Sequence, residues 1–466
     1  MPHLQKRRDL CLTEGPVLKK ILYFAFPLMC TNILQILYNA ADMIVVGQFS
    51  TVEGAVGAIG STSALINLQL NLVFGIAVGA NVVVANAIGA RDEERTRRAV
   101  HTSIWTGLIC GLIGAVIGLI FSKPLLLWMD ADPALIDMSV LYTRIYFLGV
   151  PFTGVLNYAI SVLRAKGDTK TPLYVMSLAG ILNVILNIIF VAGFGMNVDG
   201  VAIATATSNA VSVIAILIKM SRDQDWCRFE MARMKHIDVK MVRKIIRIGV
   251  PAGIQASLFS LSNVFIQRSI NGFGTAVVNG NAICVNLEGI AYTTANSITQ
   301  ASITFAGQNI GAKRYDRLGM IIRDCYLVAV AVGVAFSGML FLFREPLFML
   351  YMNAEDSLRE ATIAAATVRA YYVVIPYFLL SFMDVGGGIS RGMGYSTLSM
   401  IISLLGACGF RIAWIYTIFA WYPELWVLYL SLPVSWILTG TAFLFANLWI
   451  RKNYLRSQQK DAPSLA

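Results

Sequence analysis

Residues 26–47 read FPLMCTNILQILYNAADMIVVG. The stretch is apolar enough to cross a bilayer, yet it carries Asn32, Gln35, Asn39 and Asp42. At spacings of three, four and three, those side chains share one face of a helix, with Asp42 at its far end. Pro27 at the head of the stretch removes one backbone hydrogen bond and predicts a bend. An ionisable group in hydrocarbon is costly enough that Asp42 is expected to face a cavity or a partner.

Working outward, the whole chain has the same character. Its 466 residues are 57% hydrophobic and 14% charged, with a mean hydropathy of +0.67. That balance fits a polytopic membrane protein and excludes an ordinary soluble domain. The N-terminal apolar stretch is longer than a signal peptide's and reads as a retained first span. The seven cysteines (Cys11, Cys30, Cys110, Cys227, Cys284, Cys325 and Cys408) are scattered, with no CxxC, and read as small core residues. His3, His101 and His236 fall at or near expected loops, so neither a metal nor a haem site is expected.

The formal charge of +11 follows topology. Lys and Arg gather at residues 6–8, 91–98, 164–170, 219–247, 313–323 and 451–460. The alternate loops around Lys123, Gly193, Gly272, Arg344 and Trp421 are nearly free of them. This is the positive-inside pattern. It places both termini in the cytoplasm of a multi-pass cell-membrane protein and gives no reason to expect a nucleic-acid partner.

Apolar segments long enough to span lie near 18–46, 54–84, 99–121, 135–160, 172–194, 200–219, 246–270, 276–306, 320–343, 361–388, 397–420 and 425–449. The expectation is an all-α protein with twelve transmembrane helices in two pseudo-symmetric six-helix bundles. Its parts are a cytoplasmic N-terminus (1–17), an N-lobe (18–219), a cytoplasmic linker (220–245), a C-lobe (246–450) and a C-terminal tail (451–466). The halves repeat in sequence. Pro27, Asn39 and Ala87-Ile-Gly-Ala-Arg91 recur as Pro251, Asn263 and Asn309-Ile-Gly-Ala-Lys313. Arg164-Ala-Lys-Gly167 recurs as Arg391-Gly-Met-Gly394. Each half starts on the cytoplasmic side, so the repeats are parallel. The second half has Gln267 or its neighbours where Asp42 would fall, which puts the distinctive charge in the N-lobe.

Polar residues inside the spans have two readings. Most Asn, Ser and Thr hold a bundle together through interhelical hydrogen bonds. Around Asp42, however, the amides and hydroxyls of the N-lobe are also the oxygens a sodium ion or a shared proton would use. In the C-lobe, Glu288 and Asp384 are either substrate or proton sites or partners of Arg268, Arg369 and Arg411. Gly386-Gly387-Gly388 reads as a close crossing or a hinge. No GxxxxGK[ST], HExxH, GxSxG or TVGYG-like run occurs, so any work done must draw on an ion gradient.

The run LQILYNAADMIVVGQF, the helix ends ANAIGARDEERTRRA and AGQNIGAKRYDR, the loop LRAKGDTKTP and the LNVILN…VDGVAIAT segment together resemble the multidrug and toxic compound extrusion (MATE) family. The likeness runs over essentially the whole chain and is greatest to the DinF-like bacterial branch. It implies a secondary active exporter, not an enzyme, carrying organic cations or amphipathic compounds outward against inward sodium or protons by alternating access. It further implies no cofactor beyond the coupling ion, contact with membrane lipid, and a monomer. By the resemblance, the cation site falls on Asp42, Asn157, Asn183, Asn187 and Thr205, with Pro27, Tyr38 and Tyr142 in support. Asn187 stands where many relatives carry an acid, so Asp42 is the only titratable group expected there. Gln35, Asn39, Gln255, Glu288 and Asp384 are weaker candidates for the substrate cavity. Two rivals are a lipid-linked glycan flippase, which calls for a strongly cationic cleft, and a membrane-embedded enzyme. The only acidic cluster for the latter is Asp130, Asp132 and Asp137, otherwise an outer loop.

Overall fold

The computed structural model describes residues 12–49, 55–129, 135–235, 237–352 and 357–461. Asp130, Asp132, His3, Cys11 and His236 lie outside the described residues, as does the side chain of Asn39. Helices, and no strand, occur among the described residues. They run α1 (Val17–Phe49), α2 (Ala55–Gly89), α3 (Glu93–Trp128), α4 (Ile136–Lys166), α5 (Lys170–Asn187), α6 (Val198–Arg222), α7 (Val239–Asn271) and α8 (Thr275–Gly311). Then follow α9 (Leu318–Leu342), short α10 (Arg344–Met349), α11 (Arg359–Arg369), α12 (Phe378–Gly392), α13 (Ser396–Ser403), α14 (Phe410–Tyr416), short α15 (Ile418–Trp421) and α16 (Leu425–Asp461).

Eleven of these stretches are long and apolar enough to cross a membrane. The twelfth, α8, is long enough but polar, carrying Asn286, Glu288, Asn296 and Gln300. Twelve membrane helices in two bundles is therefore the architecture. The tenth span is α11 and α12 joined through a π-helical turn, Ala370–Val374, and a 3-10 turn at Pro376. A proline lacks the N–H that would continue the α ladder, which is why the helix changes pitch there. A second π turn, Ile188–Gly193, continues α5 beyond Asn187.

The sequence repeat is also a backbone repeat. Gly167 and Gly394 take left-handed φ of 98° and 89°. Each donates its N–H to the arginine three residues back, at 2.9 Å in both cases. The next N–H returns to Leu163 in one half and Ser390 in the other, closing the same helix-ending motif twice. At the other repeated helix end, Arg91 and Lys313 both sit at φ 54°, positions where a side chain is uncommon.

By contacts the chain forms two compact units, Phe26–Gly253 and Leu12–Ala25 with the residues from Ile254 onward. The chain changes units beside Pro27 and again beside Pro251. Small residues explain the second change. Gly75 and Gly79 of α2 meet Gly249 and Gly253 of α7 backbone to backbone. A Cβ on Gly75 would lie 2.2 Å from Gly253 Cα, and one on Gly79 2.1 Å from the Ile245 carbonyl oxygen. Each helix thus carries a small-xxx-small motif at the crossing, which lets backbones approach where no hydrophobic drive exists. The segment leading into α7 is tied to α3: Trp105 Nε1 donates to Met234 O at 2.7 Å, and Glu230 N to His101 Nε2 at 2.9 Å. His101 is therefore buried on α3, two turns beyond its start, where the sequence places it near a loop.

In the other unit, Asn309 Nδ2 donates to Leu12 O and Arg317 Nη2 to Gly15 O, fixing the lead-in to α1. Gly386, Gly388 and Gly392 mark a close crossing within continuous α12. A Cβ at Gly392 would lie 2.5 Å from Ile303 O on α8.

Candidate functional site

The polar stripe of α1 finds its partners on α5 and α6. Asn187 Nδ2 donates to Asp42 Oδ1 at 2.5 Å and to Asn183 Oδ1 at 3.2 Å. Asn183 Nδ2 donates to Thr205 Oγ1 at 3.3 Å, and the Thr205 hydroxyl in turn hydrogen-bonds Asp42. Four side chains from three helices close a ring, all inside the Phe26–Gly253 unit. Asn183 and Asn187 are buried, and the Asn187 Oδ1 oxygen has no hydrogen-bond partner. A buried amide oxygen without a donor costs free energy and is unusual enough to need a reason. Beside the Asp42 carboxylate, the Asn183 amide oxygen and the Thr205 hydroxyl, it completes a set of hard oxygen donors.

The ring depends on how α1 docks on α5. The Tyr38 hydroxyl donates to the Met176 carbonyl on α5. Its ring fills the notch over Gly180, where a Cβ would come within 1.6 Å of the ring. Met176, Gly180, Asn183 and Asn187 follow one another at spacings of four, three and four, so Tyr38 and Asp42 read one face of α5 one above the other. Thr31 Oγ1 donates to Pro27 O at 2.8 Å, using the carbonyl beside the bend.

Tyr142 is buried on α4 with its ring 6.2 Å from Tyr146, and both are in electrostatic reach of Asp42. Asn157 is not part of the ring. Its Nδ2 is spent on the Thr153 carbonyl at 2.7 Å, and Thr153 Oγ1 accepts from Asn209 Nδ2 at 3.1 Å, a separate cluster between α4 and α6. Gly180 and Tyr146 were not among the sequence candidates. Their signals were present: Tyr146 one turn after Tyr142, and a small residue on the Asn183–Asn187 face.

The C-lobe candidates fall into three environments. Glu288 makes a two-pronged ion pair with Arg369, at 2.9 Å to Nε and 2.7 Å to Nη2, with both residues buried. Arg369 Nη1 also donates to Asn281 Oδ1 at 2.6 Å, and its guanidinium lies 5.2 Å from the Tyr429 ring centre. Of the two readings of Glu288, this geometry is the pairing one. Gln255 is buried with both ends of its amide engaged, by Ser403 at 2.9 Å and Ser399 at 3.3 Å. Asp384 forms no ion pair with a described residue; Arg391 and Arg411 act on it electrostatically without pairing, and Arg411 donates instead to Ser435. Gln35 is half-buried on α1. Among the described residues no group of His, Cys, Asp and Glu is placed to hold a metal.

Known proteins share this arrangement of helices. The MatE family model matches residues 27–189 and 251–417, one match in each half. The chain belongs to the MatE family, the multidrug and toxic compound extrusion transporters. It is 26% identical over 398 residues to the probable multidrug resistance protein YoeA of Bacillus subtilis, covering 80% of this chain and 86% of that one. It is 23% identical over 323 residues to the multidrug export protein MepA of Staphylococcus aureus, covering 69% and 70%. An outward-facing multidrug resistance MATE family transporter of the MOP superfamily superposes with a TM-score of 0.87 at 20% identity, over 97% of this chain and 99% of that one. A MOP superfamily transporter from Pyrococcus furiosus superposes with a TM-score of 0.83 at 21% identity, over 96% and 98%.

Proposed function

We propose that this chain is a multidrug exporter of the cell membrane that moves cationic or amphipathic small molecules outward against an inward flow of sodium or protons, by alternating access. The observation that carries the reading is the ring of Asp42, Asn187, Asn183 and Thr205 with its orphaned Asn187 oxygen. Asp42 supplies the one charge. A sodium ion arriving there displaces the Asn187 amide hydrogen from the carboxylate and takes up oxygens already gathered around it. An amide turned over by half a rotation presents its oxygen in place of its nitrogen, so the same ring serves the empty and the loaded state. A proton uses the same turn: protonated Asp42 donates to the Asn187 oxygen. In either case α1 shifts against α5, and the bend at Pro27 lets its two parts move separately. The relatives named for multidrug resistance and export supply the substrate class. Both termini are assigned to the cytoplasm on the charge pattern, and the working unit to a monomer.

Purified protein in liposomes, loaded with a cationic dye and given a sodium gradient or a pH gradient alone, tests this. Sodium-driven or proton-driven, saturable efflux that Asp42→Asn abolishes is the expected result. Full gradient-driven efflux by that variant removes Asp42 from the mechanism. Flux that responds to neither gradient sinks antiport itself and returns the flippase reading.

A further inference from the structure

We infer that the first three turns of α7 form a docking face for anionic phospholipid. Lys240, Arg243, Lys244 and Arg247 are exposed, and at 3.6 residues per turn they fall within an arc of about 100°. The opposite side of the same turns carries Met241, Ile245 and Gly249, which are buried against the rest of the unit. A stripe of four cations therefore points away from the protein.

None of the four forms an ion pair with a described residue. Their neighbours behave differently. Arg97 pairs with Glu93 and Glu230, Arg98 with Glu94, and Arg233 with Glu230 and Glu94. Lys166 is held by both Asp223 and Asp225 at 2.8 Å, and Lys219 by Asp223. The acid nearest the stripe in sequence, Asp238, turns its Oδ1 to the backbone N–H groups of Lys240 and Met241, capping the helix. Its charge is spent on the helix end. The positive-inside rule accounts for the sign of these residues but not for their alignment on one face, nor for their lack of an ion pair with any described acid.

The surroundings identify the partner as lipid. The stripe rises about 10 Å along the axis, comparable with the headgroup layer at one face of a bilayer. Apolar side chains flank it in the open: Val239 is 75% exposed and Ile246 is 42% exposed. Long basic stems beside exposed aliphatic groups suit the boundary between phosphate and acyl chain, where Lys and Arg reach outward to phosphate. A juxtamembrane cluster of this size attracts acidic headgroups through both charge and hydrogen bonds. Like α1, α7 has its first part in one compact unit and its remainder in the other. Lipid bound here grips the first part alone.

Native mass spectrometry of the full-length protein with equimolar phosphatidylglycerol and phosphatidylcholine tests the inference. Wild type is expected to retain phosphatidylglycerol about tenfold over phosphatidylcholine, the preference falling steeply as salt rises. Arg243→Gln/Lys244→Gln is expected to lose at least threefold of it, and Lys240→Gln/Arg247→Gln a similar share. Lys452→Gln/Arg456→Gln removes the same charge from exposed positions on α16 and is expected to leave the preference unchanged. Absence of preference in wild type overturns the proposal, as does indifference to salt. Equal loss in the α16 variant overturns it too, because charge anywhere on that side would then suffice. The double variants keep at least half of the stripe, and their thermal melting is expected to match wild type.

Discussion

Substituting Gly180 by Ala probes the seam on which the Asp42 ring depends. The new methyl would sit 1.6 Å from Tyr38 Cε1, 1.7 Å from Cζ and 2.3 Å from the hydroxyl, so the ring must leave its notch. Overfilling a packed site costs about 1–3 kcal/mol. Losing the Tyr38 hydrogen bond to Met176 adds about 0.5–1.5 kcal/mol. Against this, Ala is a better helix residue than Gly by about 0.8–1.0 kcal/mol. The net expectation is a loss of about 0.5–3.5 kcal/mol, read as unfolding in rising dodecyl sulfate, with gradient-driven efflux falling because Asp42 no longer meets Asn187. In a Tyr38→Ala background the obstacle is gone and only the helix preference remains. There the same Gly180→Ala change should stabilise by about 0.5–1 kcal/mol. Reversal of sign between the two backgrounds is the signature. Equal destabilisation in both would refute the notch.

Glu288→Gln should cost about 3–5 kcal/mol because Arg369 stays buried without its counter-charge, and Glu288→Met with Arg369→Met should recover most of that in a thermal melt. A Glu288→Gln protein of normal stability that has lost only coupling would make Glu288 an ion carrier instead. Lys166→Met leaves Asp223 and Asp225 facing each other, so trypsin should cut the linker at Arg222 and Arg228 several-fold faster than in wild type. Burial alone would push the Asp223 carboxyl up, but hydrogen bonds from Lys166 and Lys219, with their charges, hold it below its ordinary value. A depressed carboxyl contributes stability above the unfolded pKa of about 3.9 and loses it as pH falls through the lower folded value. Hydrogen exchange at 224–230 should therefore show this clamp intact down to about pH 4 and opening below it; opening already at pH 6 in a Lys166-intact chain would contradict the assignment. Gly394→Ala forces a side chain into left-handed backbone at φ 89° and should cost about 1–2 kcal/mol in thermal stability.

Much of this was legible in the residues. Hydropathy marks the spans because a bilayer demands some 20 apolar residues at a time, and the repeat shows through Pro27, Pro251, Gly167 and Gly394, whose roles are local. The stripe on α1 singled out Asp42, and the likeness to relatives supplied Asn183, Asn187 and Thr205. What could not be read was which distant surfaces meet. Nothing near Glu288 says that Arg369, 81 residues on, will take it. Asn157 looks like a ring member by type, yet Thr153, one turn back on its own helix, absorbs its amide. Gly75 and Gly79 weaken a helix on paper and become meaningful only against Gly249 and Gly253. The likeness set Tyr38 in support of the site, but how it supports it shows only once Gly180 is placed under its ring. Local chemistry is written in sequence; pairing across helices depends on packing, which single residue types do not encode.

The change of units beside the two prolines has a consequence for how the protein is made. The first compact unit includes the chain as far as Gly253, and the second takes its opening helical turns from Leu12–Ala25. A ribosome that has just finished α6 has delivered six spans but not the α7 turns that fill the groove at Gly75 and Gly79. Residues 12–25 meanwhile wait for partners, Phe305, Asn309 and Arg317, that are nearly 300 residues from translation. Two separately expressed halves, cut in the linker near residue 230, would each lack a strip of the surface they close on. They should assemble only when made together, so the two lobes form one product of synthesis.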